Sequence, residues 1–206
     1  DWLEELGRRV GHRIPVRLVK GAYWDREIKH AQELGLETYP VFTKKVHTDV
    51  SYRVCAQKLL KSEWVYPQFA THNAHTVSMI LNLSQDLQAF EFQRLHGMGH
   101  LLYRELKTRY EELKVRVYAP VGNHKDLLPY LVRRLLENGA NSSFVNRFLD
   151  AKVGSKDLVR DPVAQSCEAD LMPNAAIPLP RDLYQSESLP WLNARGLDIR
   201  STSDGI

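Results

Sequence analysis

Two cysteines in 206 residues, Cys55 and Cys167, are too few and too far apart for a disulfide framework. They do not make a zinc site either, and a reducing cytoplasm fits this usage. No apolar run reaches the roughly 18 residues that a membrane-spanning helix needs. Residues 1–10 are acidic and then basic, without the apolar core of a secretion signal. The sequence does not open on Met, and a longer parent chain is expected. No GxGxxG follows the first apolar run, which counts against a dinucleotide-binding Rossmann unit. Eight histidines include no HExxH or HxxxH pair on a single helix. His72 and His75 stand three apart, a spacing that allows a metal there, though none is expected. A net charge of +3, evenly spread, is too mild for a nucleic-acid partner. A composition that is 43% hydrophobic and 26% charged suits a globular core. Cys55, in an amphipathic stretch, is expected to be a buried thiol.

What is present is a rhythm. Apolar, β-branched runs at 14–20, 65–71, 89–95 and 114–119 read as strands, with Pro67 awkward inside the second. Helical patterns at 25–34, 43–60, 73–83, 101–113 and 125–138 lie between and after them, and residues 1–9 look like the end of a helix. In the 43–60 helix, Val46, Val50, Val54 and Leu59 mark the expected apolar side. Gly35 and Gly139 read as helix stops, and residues 142–148 as a further helical turn or two. Strand, loop and helix, four times over, imply parallel strands with right-handed crossovers. An open doubly wound sheet and a (β/α)8 barrel both fit. Polar and aromatic residues at every strand end favour the barrel. Four βα units are only half of one, so its N-terminal half would lie outside this sequence. Beyond residue 150 prolines break the pattern. Residues 178–184 (PLPRDLY) look like an ordered strap or linker, and 185–206 like a mobile tail.

The last long helix carries a polar face. With about 100° per residue, Leu127, Leu128, Leu131, Val132, Leu135 and Leu136 fall in one half of the wheel. Tyr130, Arg133, Arg134 and Glu137 share an arc of about 100° in the other half. Such a set could clamp a small anion or be an ordinary solvated face. The strand ends add Arg17, Lys20, Gly21, Tyr23 and Trp24; Thr71, His72 and Asn73; Gln93, Arg94, Leu95 and His96; and Tyr118. This collection holds no Ser-His-Asp arrangement, no paired carboxylates and no nucleophile. It is rich in cations, hydrogen-bond donors and aromatics, which suits an electron-rich anionic cofactor such as a flavin dinucleotide and a carboxylate substrate. Each residue also has a structural reading. Lys20 could extend to solvent, Tyr23 and Trp24 could be rim packing, His72 and Asn73 could cap the next helix, and Tyr118 could be core with a wet hydroxyl. Arg17, inside an apolar strand, is the hardest to explain structurally, because an unpaired buried guanidinium is costly.

Five runs, in order, resemble the proline dehydrogenase domain of the bifunctional proline-utilisation (PutA) family. They are residues 16–25 (VRLVKGAYWD), 69–75 (FATHNAH), 91–99 (EFQRLHGMG), 118–122 (YAPVG) and 130–144 (YLVRRLLENGANSSF). The resemblance covers roughly residues 10–150. It implies a TIM-barrel-like (β/α)8 fold, of which residues 1–150 would be about the last four βα units. Residues 151–206 would be an extension toward an aldehyde dehydrogenase domain of the same parent chain.

The resemblance further implies FAD as cofactor and hydride transfer from L-proline to the flavin N5, giving Δ1-pyrroline-5-carboxylate. By similarity Arg17 lies beside N5, and Val19, Lys20, Gly21, Ala22, Trp24, Thr43, Thr71, His72, Asn73, Gln93, Leu95, Ser143 and Phe144 contact the cofactor. Arg133 and Arg134 pair with the proline carboxylate, Tyr23, Leu95, Tyr118 and Tyr130 shape the ring pocket, and Glu137 braces the arginines. Arg94 stands where the family commonly has a small or sulfur-containing residue, which puts flavin contact there in doubt. The resemblance also implies a membrane quinone as electron acceptor, a cytoplasmic enzyme peripherally bound at the inner membrane, and a homo-oligomer. Another flavin barrel acting on a different amine or a folate, and an incomplete non-catalytic fragment, are the competing readings. The arginine pair beside Tyr130 favours a small amino-acid carboxylate over a folate.

Overall fold

The structure is a computed structural model describing residues 1–21, 23–139, 160–168, 172–186 and 189–190. Ala22, Ser143, Phe144, the expected helical turn at 142–148 and the side chain of Glu137 lie outside the described residues. Two compact units divide the chain. The first comprises residues 1–20 and 52–161, the second residues 21–51 and 162–206.

The first unit holds a four-stranded sheet. Its strands are β1 (Ile14–Leu18), β2 (Val65–Ala70), β3 (Glu91–Leu95) and β4 (Lys114–Tyr118), all parallel in the order β1-β2-β3-β4. Each strand therefore pairs with the next one in sequence. That singly wound order is the barrel's; a doubly wound sheet reverses direction at a switch point. The elements between and around the strands are α1 (Trp2–Val10), α2 (Trp24–Leu34), α3 (Lys45–Lys61), α4 (Ala74–Leu83), α5 (His100–Arg109) and α6 (His124–Gly139). Strand positions follow the sequence reading, with ends one or two residues shorter. Pro67 sits fully buried in the inner strand β2, opposite Val16. Helix α5 stops at Arg109 rather than 113, because Leu113 turns back to bury its side chain at 1% exposure.

One face of the sheet packs on the helices. Phe69, Phe90 and Phe92 are fully buried there and meet edge-on, with Phe69–Phe90 centroids 5.6 Å apart and Phe90–Phe92 5.4 Å. Tyr52 and Ala56 of α3, Val77 and Ile80 of α4, and Tyr103 and Leu106 of α5 complete the cluster. On α3 the buried positions are thus Tyr52 and Ala56, one turn apart, and not the valine series. Val54 is 58% exposed and Cys55 is exposed, which corrects the expectation of a buried thiol. The small Ala56 lets the helix approach the sheet, and Val54, two residues back, falls on the opposite side. At α1 only glycine fits position 7, since a Cβ there would lie 2.8 Å from the Trp64 carbonyl oxygen.

In the second unit, Ile28 and Ala31 of α2 are buried, and the helix contacts a 3-10 turn at Pro180–Asp182. The Tyr39 hydroxyl donates to the Pro178 carbonyl (2.7 Å) and accepts from Gln32 (3.0 Å), while Thr43 Oγ1 accepts from the Asn174 N–H (2.8 Å). The strap at 178–184 is accordingly an ordered element. It follows a short helix, α7 (Pro162–Glu168). Strands β5 (Gln185–Ser186) and β6 (Leu189–Pro190) pair antiparallel, at the start of the segment expected to be mobile.

Candidate active site

The other face of the sheet is polar. Strand residues alternate faces, and the register places Arg17, Gln68 and Glu91 in line, then Gln93 beside Arg116, then Leu95 beside Tyr118. The floor is a network around Glu91, which is only 3% exposed. Arg116 donates to both carboxylate oxygens at 2.7 and 2.8 Å, and the Gln68 and Gln93 amides donate to Oε1 at 2.9 and 2.8 Å. The Arg116 guanidinium hydrogen-bonded to Glu91 holds its carboxyl below the usual range, against the opposing effect of burial. Sequence reading named Gln93 but missed Glu91, Gln68 and Arg116. The available signal was the alternation itself: polar residues at every second position of inner parallel strands, where continuous apolar runs are the norm.

Above this floor, at the strand ends, the site residues of the first unit gather. The Arg17 guanidinium lies over the Tyr118 ring at 4.6 Å. A flat sheet would hold β1 and β4 about 14 Å apart, a gap this contact bridges. Tyr130 of α6 interacts with Tyr118, and the Arg134 guanidinium lies over the Tyr130 ring at 5.4 Å. Burial, then the neighbouring Tyr118 hydroxyl, raises the Tyr130 pKa and keeps the phenol protonated.

Helix α6 buries part of its polar arc. Leu128, Leu131, Val132 and Leu135 are exposed, at 42–71%, while Tyr130 and Arg134 of the polar arc are half-buried. An ordinary wet face would show the reverse. Arg133 is exposed on the same arc. The turn before the helix is closed by Asn123, whose Oδ1 accepts from the Lys125 N–H at 2.9 Å.

Not every named residue turns toward this cluster. The half-buried Lys20 donates its ammonium to Thr76 Oγ1 (3.2 Å) and lies 4.9 Å over the Tyr52 ring, on the helix side of the sheet and away from Arg17. Asn73 caps α4, its Oδ1 accepting from the Thr76 N–H, and Thr71 Oγ1 accepts from the Asn73 N–H. His72 Nε2 accepts from the Leu95 N–H at 3.1 Å. Arg94 shares the strand parity of Phe92, facing the helices, and donates to the Met98 carbonyl at 3.2 Å. The doubtful position thus points away from the polar face. Val19 is 44% exposed at the end of β1. Gly21, Tyr23, Trp24 and Thr43 belong to the second unit, where Trp24 Nε1 donates to the Phe42 carbonyl at 2.9 Å.

A cavity of about 730 Å³ lies elsewhere, along the open edge of β4 against α5, lined in part by Arg94, Tyr103, Lys107 and Val117. It follows the strand edge left unpaired among the described residues and shares Glu91 and Arg116 with the polar floor, but it includes none of Arg17, Tyr118, Tyr130 and Arg134, so the site is placed at the cluster. The cluster holds the guanidinium groups of Arg17 and Arg134 and the phenols of Tyr118 and Tyr130. It can bind and orient an anionic, electron-rich ligand; it has no nucleophile–base pair.

The model of the proline dehydrogenase family matches residues 1–147. This chain belongs to the proline dehydrogenase family. The bifunctional protein PutA of Salmonella typhimurium is 52% identical over 97% of the chain, and the chain spans 16% of that protein's length. Among solved structures, a mutant of Bradyrhizobium japonicum proline utilization A superposes with a TM-score of 0.85 at 50% identity, over 96% of this chain and 20% of that one. Proline utilization A from Bdellovibrio bacteriovorus, inactivated by N-propargylglycine, superposes at 0.76 with 32% identity, over 93% of this chain and 20% of that one. The parallel α/β architecture is that of the proline dehydrogenase domain, and four consecutive βα units of a TIM-barrel-like fold are what these residues supply. Among the described residues no helix is long and apolar enough to cross a membrane.

Proposed function

We propose that this proline dehydrogenase family chain forms part of an FAD-dependent enzyme that oxidises L-proline to Δ1-pyrroline-5-carboxylate. The observation that carries the reading is the inward polar arc of α6, with Tyr130 and Arg134 joined through Tyr118 to Arg17 at the strand ends. Two guanidinium groups on one helix arc match a carboxylate in orientation as well as charge. In this reading Arg133 and Arg134 hold the proline carboxylate, Glu137 braces them, and Tyr118, Tyr130, Leu95 and Tyr23 enclose the ring. Fixing the substrate at both ends lowers the entropic cost of reaching the reactive geometry. Arg17 supplies positive charge where negative charge develops on the cofactor, without reorganisation at that moment.

In the first unit the residues suit a flavin dinucleotide: a cation at Arg17, aromatic surface at Tyr118, and polar groups at Thr71, His72, Asn73 and Gln93; family resemblance adds Gly21, Ala22, Trp24, Thr43, Ser143 and Phe144 to that reading. Bound FAD would accept the hydride. The remaining four βα units come from outside these 206 residues. In the same reading the parent carries an aldehyde dehydrogenase domain, passes electrons to a membrane quinone from a peripheral position, and forms a homo-oligomer.

The test uses the protein with its barrel complete. Arg133→Met and Arg134→Met should each raise KM for L-proline by about tenfold or more, the cost of one charged hydrogen-bond partner, while FAD stays bound. An unchanged KM in both would remove the pair from the substrate site.

A further inference from the structure

The β2–β3 ladder stops short of the strand ends. Its register runs Gln68↔Glu91, Phe69↔Phe92 and Ala70↔Gln93 and ends there. Carried two residues further, the same register would bring His72 opposite Leu95. The backbone does not continue the ladder, yet the Leu95 N–H is not left open: it donates to His72 Nε2 at 3.1 Å. The neighbouring Thr71 carbonyl accepts from the Tyr103 hydroxyl at 2.6 Å. Side chains have thus taken over where β2 leaves the sheet. Across β3 the main chain goes on, with the His96 N–H donating to the Tyr118 carbonyl at 2.8 Å.

A backbone N–H is a donor only, so Nε2 must be the lone-pair nitrogen of His72 and the ring's proton must sit on Nδ1. A protonated imidazole has no acceptor and cannot make this bond. The ring is also held sterically. A Cβ on Gly99 would stand 2.9 Å from His72 Cδ2 and 3.3 Å from the Tyr103 ring, and Gly99 has φ +65°, a conformation that L side chains rarely adopt. Two guanidinium groups act on the imidazole through their charge, Arg134 of α6 and Arg94 of β3. Burial first, then Arg134, then Arg94, hold His72 below the ordinary histidine range.

We propose that His72 is a positioning residue, whose neutral Nδ1–H imidazole stands in for the missing ladder acceptor and fixes Leu95 at the wall of the substrate site. Any cofactor atom that His72 meets through its other nitrogen is therefore a hydrogen-bond acceptor. Protonation of the ring releases the end of β3. This role does not depend on which substrate the site takes.

Long-range proton–nitrogen NMR of the protein with its barrel complete and its histidines labelled tests it directly. At neutral pH the His72 ring should be uncharged with its proton on Nδ1, and it should charge at lower pH than an exposed histidine. An Nε2–H ring or an imidazolium at neutral pH overturns the proposal, and this spectrum needs no variant. Hydrogen exchange supplies the second measurement. His72→Ala should speed exchange of the Leu95 amide by about five- to tenfold, the worth of one hydrogen bond. Phe69, in mid-strand, should be unaffected, and His72→Gln, whose side-chain oxygen can accept, should restore protection. An unchanged Leu95, or equal loosening at Phe69 and Leu95, would show that His72 does not position the strand end.

Discussion

The two faces of the sheet are made from the same strands and obey opposite rules. On the helix side, Phe69, Phe90 and Phe92 are stripped of water and packed edge-to-face. On the other side, Arg17, Gln68, Glu91, Gln93, Arg116 and Tyr118 are held by hydrogen bonds and cation–ring contacts. β3 shows both within two residues: Phe92 at 0% exposure in the apolar cluster, Glu91 at 3% in a carboxylate–guanidinium pair. The difference teaches where stability is held and where it is given up. An apolar core would be cheaper than a charged one. A polar face persisting on the inside of a parallel sheet marks the surface on which ligands are handled.

The largest effect should come from the apolar face. Phe92→Ala removes a ring from a filled cluster and should cost about 3–5 kcal/mol in urea unfolding, with Phe69 and Phe90 left facing a void. A loss below about 1 kcal/mol would mean that the cluster does not bear the fold. On the polar face, Arg17→Met should leave the unfolding midpoint nearly unchanged. In the completed barrel it should lower proline turnover by a hundredfold or so, the scale seen when one preorganised donor is lost. The opposite split, a lower midpoint with full turnover, would make Arg17 structural.

Glu91→Gln sits between the two faces in kind. It should cost about 1 kcal/mol, because Arg116 faces water and screening discounts the pair. The same pair sets an acid limit. The folded pKa of Glu91 lies below its ordinary value, so its contribution is complete above that value and is lost as pH falls through the folded pKa. Glu91→Gln should flatten that part of the stability profile; an identical profile would remove Glu91 as its source. The smallest effect should be at Cys55. Being exposed, Cys55→Ser should change stability by no more than about 0.5 kcal/mol, and a cost above 2 kcal/mol would restore the buried thiol.

Much of this was legible in the sequence. The four strands and their connecting helices follow from periodicity, and Gly35 ends α2 in the left-handed conformation that a stop signal requires. The polar arc of α6 was visible on a helical wheel. Its direction was not, because a wheel separates two faces without saying which one turns inward. Only the contacts of Tyr130 and Arg134 decide that. The α3 valines misled for a related reason. Packing against a phenylalanine cluster favoured Ala56 and Tyr52, a close-approach choice that hydrophobicity alone does not encode. Glu91 went unnoticed because a lone acid in a strand reads as surface until its register with Gln68 and its side-chain pair with Arg116 are known.

The central claim is that the inward arc of α6 recognises a carboxylate. It is tested most directly by comparing L-proline with L-prolinamide, which lacks the charge, in the completed barrel with wild-type Arg134 and with Arg134→Met, FAD content held equal. The wild type should prefer L-proline strongly in kcat/KM, and Arg134→Met should erase most of that preference while leaving prolinamide nearly unaffected. Equal discrimination in both proteins would contradict the account.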